Sequence, residues 1–379
     1  ASSHVSWQQK DPAIYPTFAQ QLGADDAAEG GLIAQCGDRL RTLSASDFYS
    51  YDYASYYTTG NVSTQFDAEN QISSAILYVT SGSTPVLGRL TGHGETALNS
   101  DLTSSLSLQN MDVEDVNLLS VSEIPEDISA LALICPTVDY TEADLTLLRA
   151  YLDQGGRLLV LTDPSISTPN LNALLAEYGM SPMEGLVVEG DAGHHAQGYA
   201  YWLVPDVQTH SATSQMDGSL VLMPFAQAIQ MESDLTDIAL TPLLTTSSSA
   251  YNKAAGFNMQ TTSREDGDQS GPFDLAVAAE KTGEDGQTSR IVWAASAALN
   301  DAQTDSRVAG GNSRFLLGCV GWLTDTDTTA TLVAAKGLTS DALTFTAGQT
   351  ARYGALTVAL LPLALLVCGA VITLKRRAR

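Results

Sequence analysis

Cysteine is scarce in this chain, and its spacing excludes the usual cysteine-based sites. The 379 residues contain only Cys36, Cys135, Cys319 and Cys368, which lie far apart and form no Cys-x-x-Cys pair. Neither a zinc site nor a redox motif is therefore indicated. The Gly-x-x-x-x-Gly-Lys-Ser/Thr pattern is also absent from the sequence, so the chain cannot itself be a P-loop ATPase.

Basic charge is scarce as well and is unevenly placed. The chain has 18 Lys and Arg residues against 43 Asp and Glu residues, a net charge of −25. Four of the basic residues are in the last five positions, so residues 1–374 carry −29. Because binding to nucleic acid requires clustered Lys and Arg against the phosphates, nucleic acid is not an expected partner of the acidic part.

One complete strand–helix–strand unit stands out between residues 131 and 164. The apolar runs 131–136 and 157–164 each end on a proline. Between them, residues 141–144 (TEAD) are typical of a helix start, and Gly155-Gly156 of a helix end. Two strands joined by one helix pair in parallel through a right-handed crossover. The unit therefore predicts a parallel sheet at the centre of the protein.

The rest of the chain predicts an α/β fold with a doubly wound, mostly parallel, flavodoxin-like sheet. Residues 1–67 suggest a partial N-terminal α/β domain, and residues 68–325 a larger one with a β-rich insertion at about 191–289. Residues 326–352 suggest a connector. The strands expected in the main sheet are 85–90, 113–119, 131–135, 158–161, 185–188 and 290–295, with a helix from the TGHGE stretch to about Leu108.

The end of the chain predicts a transmembrane helix. Residues 353–374 are uncharged over 22 positions, long enough to cross a bilayer, and a basic tail follows at 375–379. By the positive-inside rule this tail is cytoplasmic and the acidic body is outside the cell membrane. Residues 1–11 are polar and contain no signal peptide, so we expect that an upstream membrane segment is missing from the sequence.

Four polar residues follow predicted strands and are expected at one edge of the sheet. These are His93, Glu95, Thr137 and Asp163. The carboxyl ends of parallel strands usually carry the ligand site, and the glycines around His93 favour a sharp turn that exposes the imidazole. The set therefore suggests a polar ligand pocket or a site for a partner chain. The alternative is that His93 and Glu95 only cap the following helix and hold the turn.

No catalytic, metal or cofactor site is predicted. Cys135 ends a strand but is followed by Pro136, and no glycine elbow of the kind that presents a nucleophile is present. Ser296 has no evident base. His194 and His195 lie in a Gly-rich stretch, where adjacent histidines are usually solvated rather than bound to metal.

Several of these segments resemble the gliding-motility-type auxiliary component of ABC transport systems. The resemblance is carried by LTGHGE at residues 90–95, by residues 124–164 including GGRLLVLTDP, by the helix that ends at Trp322-Leu323, and by the apolar segment with Pro362. It runs from about Lys10 to the end of the chain. The sequence departs from the family where Ala295-Ser296-Ala297 replaces an acidic Gly-Asp-Ser-like turn, and where an N-terminal membrane helix is absent.

This resemblance implies an extracytoplasmic, amidotransferase-like domain without the catalytic cysteine. It implies a membrane-anchored, non-catalytic accessory subunit in the cell membrane, with an ABC permease, an ATPase and the lipid bilayer as partners and no cofactor. Two alternatives stay open, a cell-surface glycan- or peptide-binding module and a degenerate hydrolase.

Overall fold

The protein divides into two compact units. Unit 1 comprises residues 1–50 and 66–335, and unit 2 comprises residues 51–65 and 336–379. The computed structural model describes residues 5–52, 63–81, 84–196, 198–233, 235–283, 286–326, 328, 336–338 and 362.

Unit 1 begins with short elements around an antiparallel hairpin. Helix α1 (Phe18–Gln21) precedes strands β1 (Leu32–Cys36) and β2 (Arg39–Leu43), which pair from Leu32 with Leu43 to Cys36 with Arg39. A 3₁₀ turn (Ala45–Phe48) follows, and helix α2 (Ala68–Thr80) packs on the hairpin. The N-terminal residues therefore form a small α/β layer.

The remaining helices and strands of unit 1 alternate first and then become strand-rich. The helices are α3 (Ser100–Leu108), α4 (Glu142–Asp153), α5 (Pro169–Ala176), α6 (Ala302–Arg307) and α7 (Gly311–Leu323). The strands are β5 (Val86–Thr91), β6 (Asp112–Asn117), β7 (Ile128–Ile134), β8 (Arg157–Leu161), β9 (Met180–Pro182), β10 (Leu186–Val188), β11 (Trp202–Leu203), β12 (Asp206–Val207), β13 (Met223–Pro224), β14 (Ile229–Met231), β15 (Ile238–Thr245), β16 (Tyr251–Lys253), β17 (Gln269–Ser270), β18 (Asp274–Thr282) and β19 (Thr288–Ala294).

The main sheet is mixed, which corrects the prediction of a mostly parallel sheet. Its parallel part has the order β6-β5-β7-β8-β19. Strands β18, β15 and β12 continue it in antiparallel pairing, and β14 joins β18 to β9. Since β18 reaches β19 through only a short turn, the two can pair only as a hairpin. The α/β class itself is confirmed.

The strand predicted at residues 185–188 is present but belongs to another sheet. Strand β10 pairs with β16, and β16 pairs with β17, in a separate three-stranded sheet. Strands β11 to β18 lie within the predicted β-rich insertion. Its strands therefore both extend the main sheet and contribute to two smaller sheets.

Strand β7 shows how the sheet is buried on both faces. Ala130, Ala132 and Ile134 pack in one core cluster with side chains of α3 and α7. Leu131 and Leu133 pack in a second cluster with side chains of α4 and α5. Both clusters have near-zero exposure. The nearly continuous apolar sequence of β7 follows from this burial, because a strand covered on two faces has no polar side.

Unit 2 is described only in part. Strands β3 (Tyr49–Asp52), β4 (Ser63–Phe66) and β20 (Lys336–Gly337) form a three-stranded sheet, most of whose residues belong to this unit. The predicted transmembrane helix at 353–374 and the tail at 375–379 lie outside the described residues except for Pro362, as does most of the connector at 326–352. Within the described parts of the chain, no helix has both the length and the hydropathy that a bilayer crossing requires.

Candidate functional site

The candidate site is the crevice beyond the carboxyl ends of β5 and β7. These strands are neighbours in the sheet, although β6 lies between them along the chain. The helices that follow them cover opposite faces, because Leu102 of α3 belongs to one core cluster and Leu145 of α4 to the other. The chain thus leaves the sheet in two directions here. Such a switch point is where open α/β sheets usually bind ligands.

The loop after β5 turns sharply towards the loop after β7. Gly92 and Gly94 have positive φ angles of 119° and 73°. The amides of Thr137 and Val138 both donate to the His93 carbonyl at 3.0 Å. A Cβ atom at Gly94 would lie 2.0 Å from Thr137 Oγ1, so glycine is required there by contact as well as by conformation.

This turn buries His93 instead of exposing it, which corrects the sequence-based prediction. His93 has only 4% of its surface exposed. The glycines supply the predicted sharp turn, but the backbone bonds to Thr137 and Val138 draw the loop against the start of α4. The imidazole therefore points into the protein and not towards solvent.

Four side chains form what we call the His93 cluster, namely His93, Glu95, Tyr140 and Asp144. His93 Nε2 lies 3.1 Å from Asp144 Oδ2, and His93 Nδ1 lies 3.7 Å from Glu95 Oε1. The Tyr140 hydroxyl donates to Glu95 Oε1 at 2.6 Å, and the His93 amide donates to Glu95 Oε2 at 2.7 Å. The rings of His93 and Tyr140 are 4.3 Å apart. The imidazole is thus held between two carboxylates.

Asp144 belongs to the cluster and to the N-terminal cap of α4. Its Oδ2 accepts from the Thr141 amide at 2.8 Å and from Thr141 Oγ1 at 2.5 Å. Burial raises the pKa of Asp144, but the hydrogen bonds from Thr141 and the nearby His93 outweigh burial and lower the pKa below its ordinary value. The carboxylate is therefore ionised at neutral pH, and it joins the helix start to the β5 loop.

The side chains of the cluster are almost completely buried. The side chains of His93, Glu95 and Asp144 are 5%, 1% and 5% exposed, and Tyr140 is fully buried. Burial, and then the hydrogen bond to Glu95, raise the pKa of Tyr140, so its hydroxyl stays protonated as a donor. His93 Nδ1 has no hydrogen-bond partner among the described residues. The arrangement offers no open face to a substrate.

The other two predicted residues are placed differently. Thr137 is exposed, and its hydroxyl donates to the Gly94 carbonyl at 3.4 Å. Asp163 follows β8 and accepts from the Ser165 amide at 2.8 Å within its own turn. No hydrogen bond or ion pair of the described residues joins Asp163 to the His93 cluster. The structure therefore brings three of the four residues together, His93 and Glu95 through their side chains and Thr137 through its backbone bond to His93, and it leaves Asp163 apart.

Sequence reasoning missed Tyr140 and Asp144 as members of this cluster. The TEAD pattern predicted the helix start, and the structure confirms it as a capping box between Thr141 and Asp144. It did not indicate that the same carboxylate also meets His93, which is 51 residues away in the chain. The alternative, that His93 and Glu95 hold the turn and cap the following helix, was right about the turn, which the His93 amide holds by donating to Glu95 Oε2. It was wrong about the helix cap, because α3 begins only at Ser100 and is capped by Asn99.

Neither nucleophile that the sequence offers is poised for attack. Burial, and then the charge of Asp163, raise the pKa of Cys135 to about 12. Ser296 has no exposed surface, and its hydroxyl donates to the Pro224 carbonyl at 2.8 Å. No group of His, Cys, Asp and Glu within the described residues has the arrangement of a metal site.

A partly exposed row of five aromatic rings lies on the insertion, and we call it the aromatic row. Neighbouring ring centroids along it are 4.8 to 5.9 Å apart. Three of the five residues are more than 40% exposed. Phe225 also has a φ of 53°, an unusual conformation for a bulky residue. In order, the row is Phe257, Phe225, Tyr201, Tyr199 and Trp202.

A known protein family matches the larger part of this chain. The family described as "ABC-type uncharacterized transport system" matches residues 84–317, which is more than half of the chain. The chain belongs to this family. As a member, it is an auxiliary component of an ABC transport system, and the matched range includes every residue of the His93 cluster. No curated protein matches the chain significantly.

Solved structures show more distant similarity. The mmIFT52 N-terminal domain is 18% identical and matches 64% of this chain and 98% of its own, with a TM-score of 0.47. The exo-beta-1,4-mannosidase Op5Man5 from Opitutaceae bacterium strain TAV5 is 10% identical over 61% of this chain and 35% of its own, with a TM-score of 0.35. PurLQS from Thermotoga maritima is 8% identical over 64% and 100%, with a TM-score of 0.33. At these values the matches add nothing about the function of this family member.

Proposed function

We propose that the chain is a membrane-anchored, extracytoplasmic and non-catalytic accessory subunit of the gliding-motility type. It works with a separate ABC permease and ATPase. Membership of the auxiliary family supports the transport role. The sequence pattern at residues 353–379, an uncharged stretch followed by a basic tail, supports the anchor and the external position of the acidic body.

The observation that carries the non-catalytic role is the burial of the His93 cluster at the switch point of the sheet. In an α/β sheet of this kind, substrate or cofactor would bind beyond β5 and β7, and the side chains found there are those of the buried His93 cluster. The polar groups of the cluster bond mainly to one another, with exposures of 5% or less. Buried acids that bond to His93, Tyr140 and Thr141 serve to fix two loops and α4. The same rigid edge can then present Thr137 and its exposed neighbour Val138 to a partner chain.

Co-purification tests this function directly. The full chain, tagged and expressed in its native host, is extracted from membranes in mild detergent and captured. We expect a permease and an ABC ATPase to co-elute in fixed proportion. Capture from cells that lack the ATPase gene is the control for specific assembly. Recovery of the full chain without either subunit, under conditions that keep other transporters intact, would contradict the proposal.

A second candidate function, glycan binding at the cell surface, is favoured by the aromatic row. Exposed aromatic patches usually mark an interaction site, and the C–H faces of sugars stack on such rings. Peptide binding by strand addition is less well supported. The amides of Tyr199, Trp202 and Phe225 already donate to backbone carbonyls of the same region.

Affinity electrophoresis of the full chain through gels containing mannan, dextran or laminarin tests this candidate. Retardation by one glycan that is lost in Tyr199→Ala and Phe225→Ala would support it. Trp7→Ala is a matched control, because Trp7 is 85% exposed but lies outside the row. Equal migration with and without every glycan would remove this candidate and leave the transporter role untouched.

A further inference from the structure

A cavity of about 390 Å³ lies at the amino ends of the strands, whereas the His93 cluster lies at their carboxyl ends. It is formed by β2 of the hairpin, by α2, and by the segment that joins α3 to β6. We call it the hairpin cavity. Its volume falls in the range of small-ligand sites. Because it lies at the amino ends of β5 and β6, it is independent of the His93 cluster and of the proposed accessory function.

The hairpin cavity contains a cation that is bound only by neutral groups. The guanidinium of Arg41 donates to the Asn110 side-chain oxygen and lies 5.4 Å from the centre of the Tyr78 ring. Asn110 is itself fixed, since its amide donates to the Ser74 carbonyl at 2.9 Å. Among the described residues no carboxylate lies within ion-pair distance of Arg41. Its other N–H groups remain suited to a carboxylate, which guanidinium binds through two parallel bonds.

The same cavity contains two acids, Asp26 and Asp112. Asp26 Oδ2 accepts from Thr42 Oγ1 at 2.7 Å, and no described cation pairs with either carboxylate. By contrast, Arg89 on the neighbouring strand β5 does pair with Asp115 of β6, at 2.7 Å. Opposite charges therefore line one cavity without neutralising each other.

We propose that the hairpin cavity binds a small zwitterion with one carboxylate and one ammonium group, the chemistry of an α-amino acid or a short peptide. A simple anion would meet two aspartates, and a simple cation would meet Arg41. Only a ligand with both charges satisfies the two sides together. The carboxylate binds Arg41, the ammonium binds Asp26 and Asp112, and Tyr78 and Met111 supply the apolar wall.

Binding is measured on the full chain in detergent by isothermal calorimetry and thermal shift. The probes are free L-amino acids and dipeptides, with N-acetyl amino acids and amino-acid amides as singly charged analogues. We expect saturable binding of at least one zwitterion, with affinity lower by roughly tenfold or more for each blocked analogue. Preference for dipeptides over free amino acids would identify the peptide source, and the reverse preference the amino-acid source.

Arg41→Gln and Asp112→Asn should each abolish or greatly weaken binding. Arg89→Gln and Asp115→Asn are matched controls, because they remove the same charges from neighbouring positions that do not line the cavity. Asp112 is exposed, so its amide variant should fold normally even if Arg41→Gln does not. Absence of binding by every zwitterion at millimolar concentration, equal binding of blocked analogues, or full binding by Asp112→Asn would overturn the proposal.

Discussion

His93 Nε2 and Asp144 Oδ2 lie 3.1 Å apart, although 51 residues separate them in the chain. The contact joins the loop after β5 to the cap of α4, and it does so where the side chains of both residues are 5% exposed. One carboxylate thus stabilises a helix end and a histidine at the same time. The stability of this edge of the sheet should therefore depend on both residues.

His93→Ala should lower the free energy of unfolding by about 2–4 kcal/mol, because it leaves two buried carboxylates without the imidazole between them. Urea denaturation of the full chain in detergent, followed by tryptophan fluorescence, measures this loss. Thr137→Ala is the control. Thr137 is exposed on the neighbouring loop, and its replacement should change the free energy by less than about 0.5 kcal/mol. A cost for His93→Ala as small as that of the control would show that the contact contributes nothing.

Acid should destabilise the protein partly through Asp144. Its folded pKa is below the ordinary value of 3.8, so it binds a proton less readily folded than unfolded. Its contribution is therefore fully present above about pH 4 and is lost as the pH falls through the folded pKa. Unfolding curves from pH 6 to pH 2 should have a smaller acid slope in Asp144→Asn. Parallel pH profiles for the two proteins would contradict the lowered pKa.

Gly94→Ala should be destabilising by about 1–3 kcal/mol, because the left-handed backbone strains alanine and its Cβ meets Thr137 Oγ1. A double-mutant cycle separates the two causes. Adding Thr137→Ala should recover the part that comes from contact and leave the part that comes from the φ angle. If the double variant is no more stable than Gly94→Ala alone, the contact with Thr137 is not a cause.

The protein should show no hydrolase activity, because the Cys135 pKa is raised to about 12 and the Ser296 hydroxyl donates to a carbonyl. Ester, amide and glycoside reporters incubated with the full chain should give only background rates. The decisive contrary result would be turnover that disappears in Cys135→Ala or Ser296→Ala, with the fold unchanged by circular dichroism.

The body should lie outside the cell and the tail inside. In a Cys36→Ser background, Asp266→Cys on an exposed loop should react with an impermeant maleimide on intact cells. Ala378→Cys should react only after the cells are permeabilised. The reverse order of labelling would invert the topology.

Local patterns predicted the elements best. Two local patterns, at residues 141–144 and at Gly155-Gly156, predicted the start and the end of helix α4 closely. Capping residues and the glycines that end a helix act within one helical turn, so they can be recognised from the sequence. The apolar runs predicted β7 and β8 for a different reason, because burial on both faces permits only apolar side chains. The switch of pattern after residue 190 indicated the strand-rich insertion.

Pairing between distant segments was decided only by the tertiary structure. No local sequence pattern assigns β10 to a separate sheet or β18 to the main sheet. The pairing of a strand depends on the direction in which the chain runs and on which other strands are free to pair with it. The inward turn of His93 likewise depends on bonds to Thr137 and Asp144, far along the chain. The sequence alone thus determined the α/β class, the polar residues that follow the strands and the acidic net charge. The tertiary structure decided that this edge is closed, because only folding brings the imidazole between its two carboxylates.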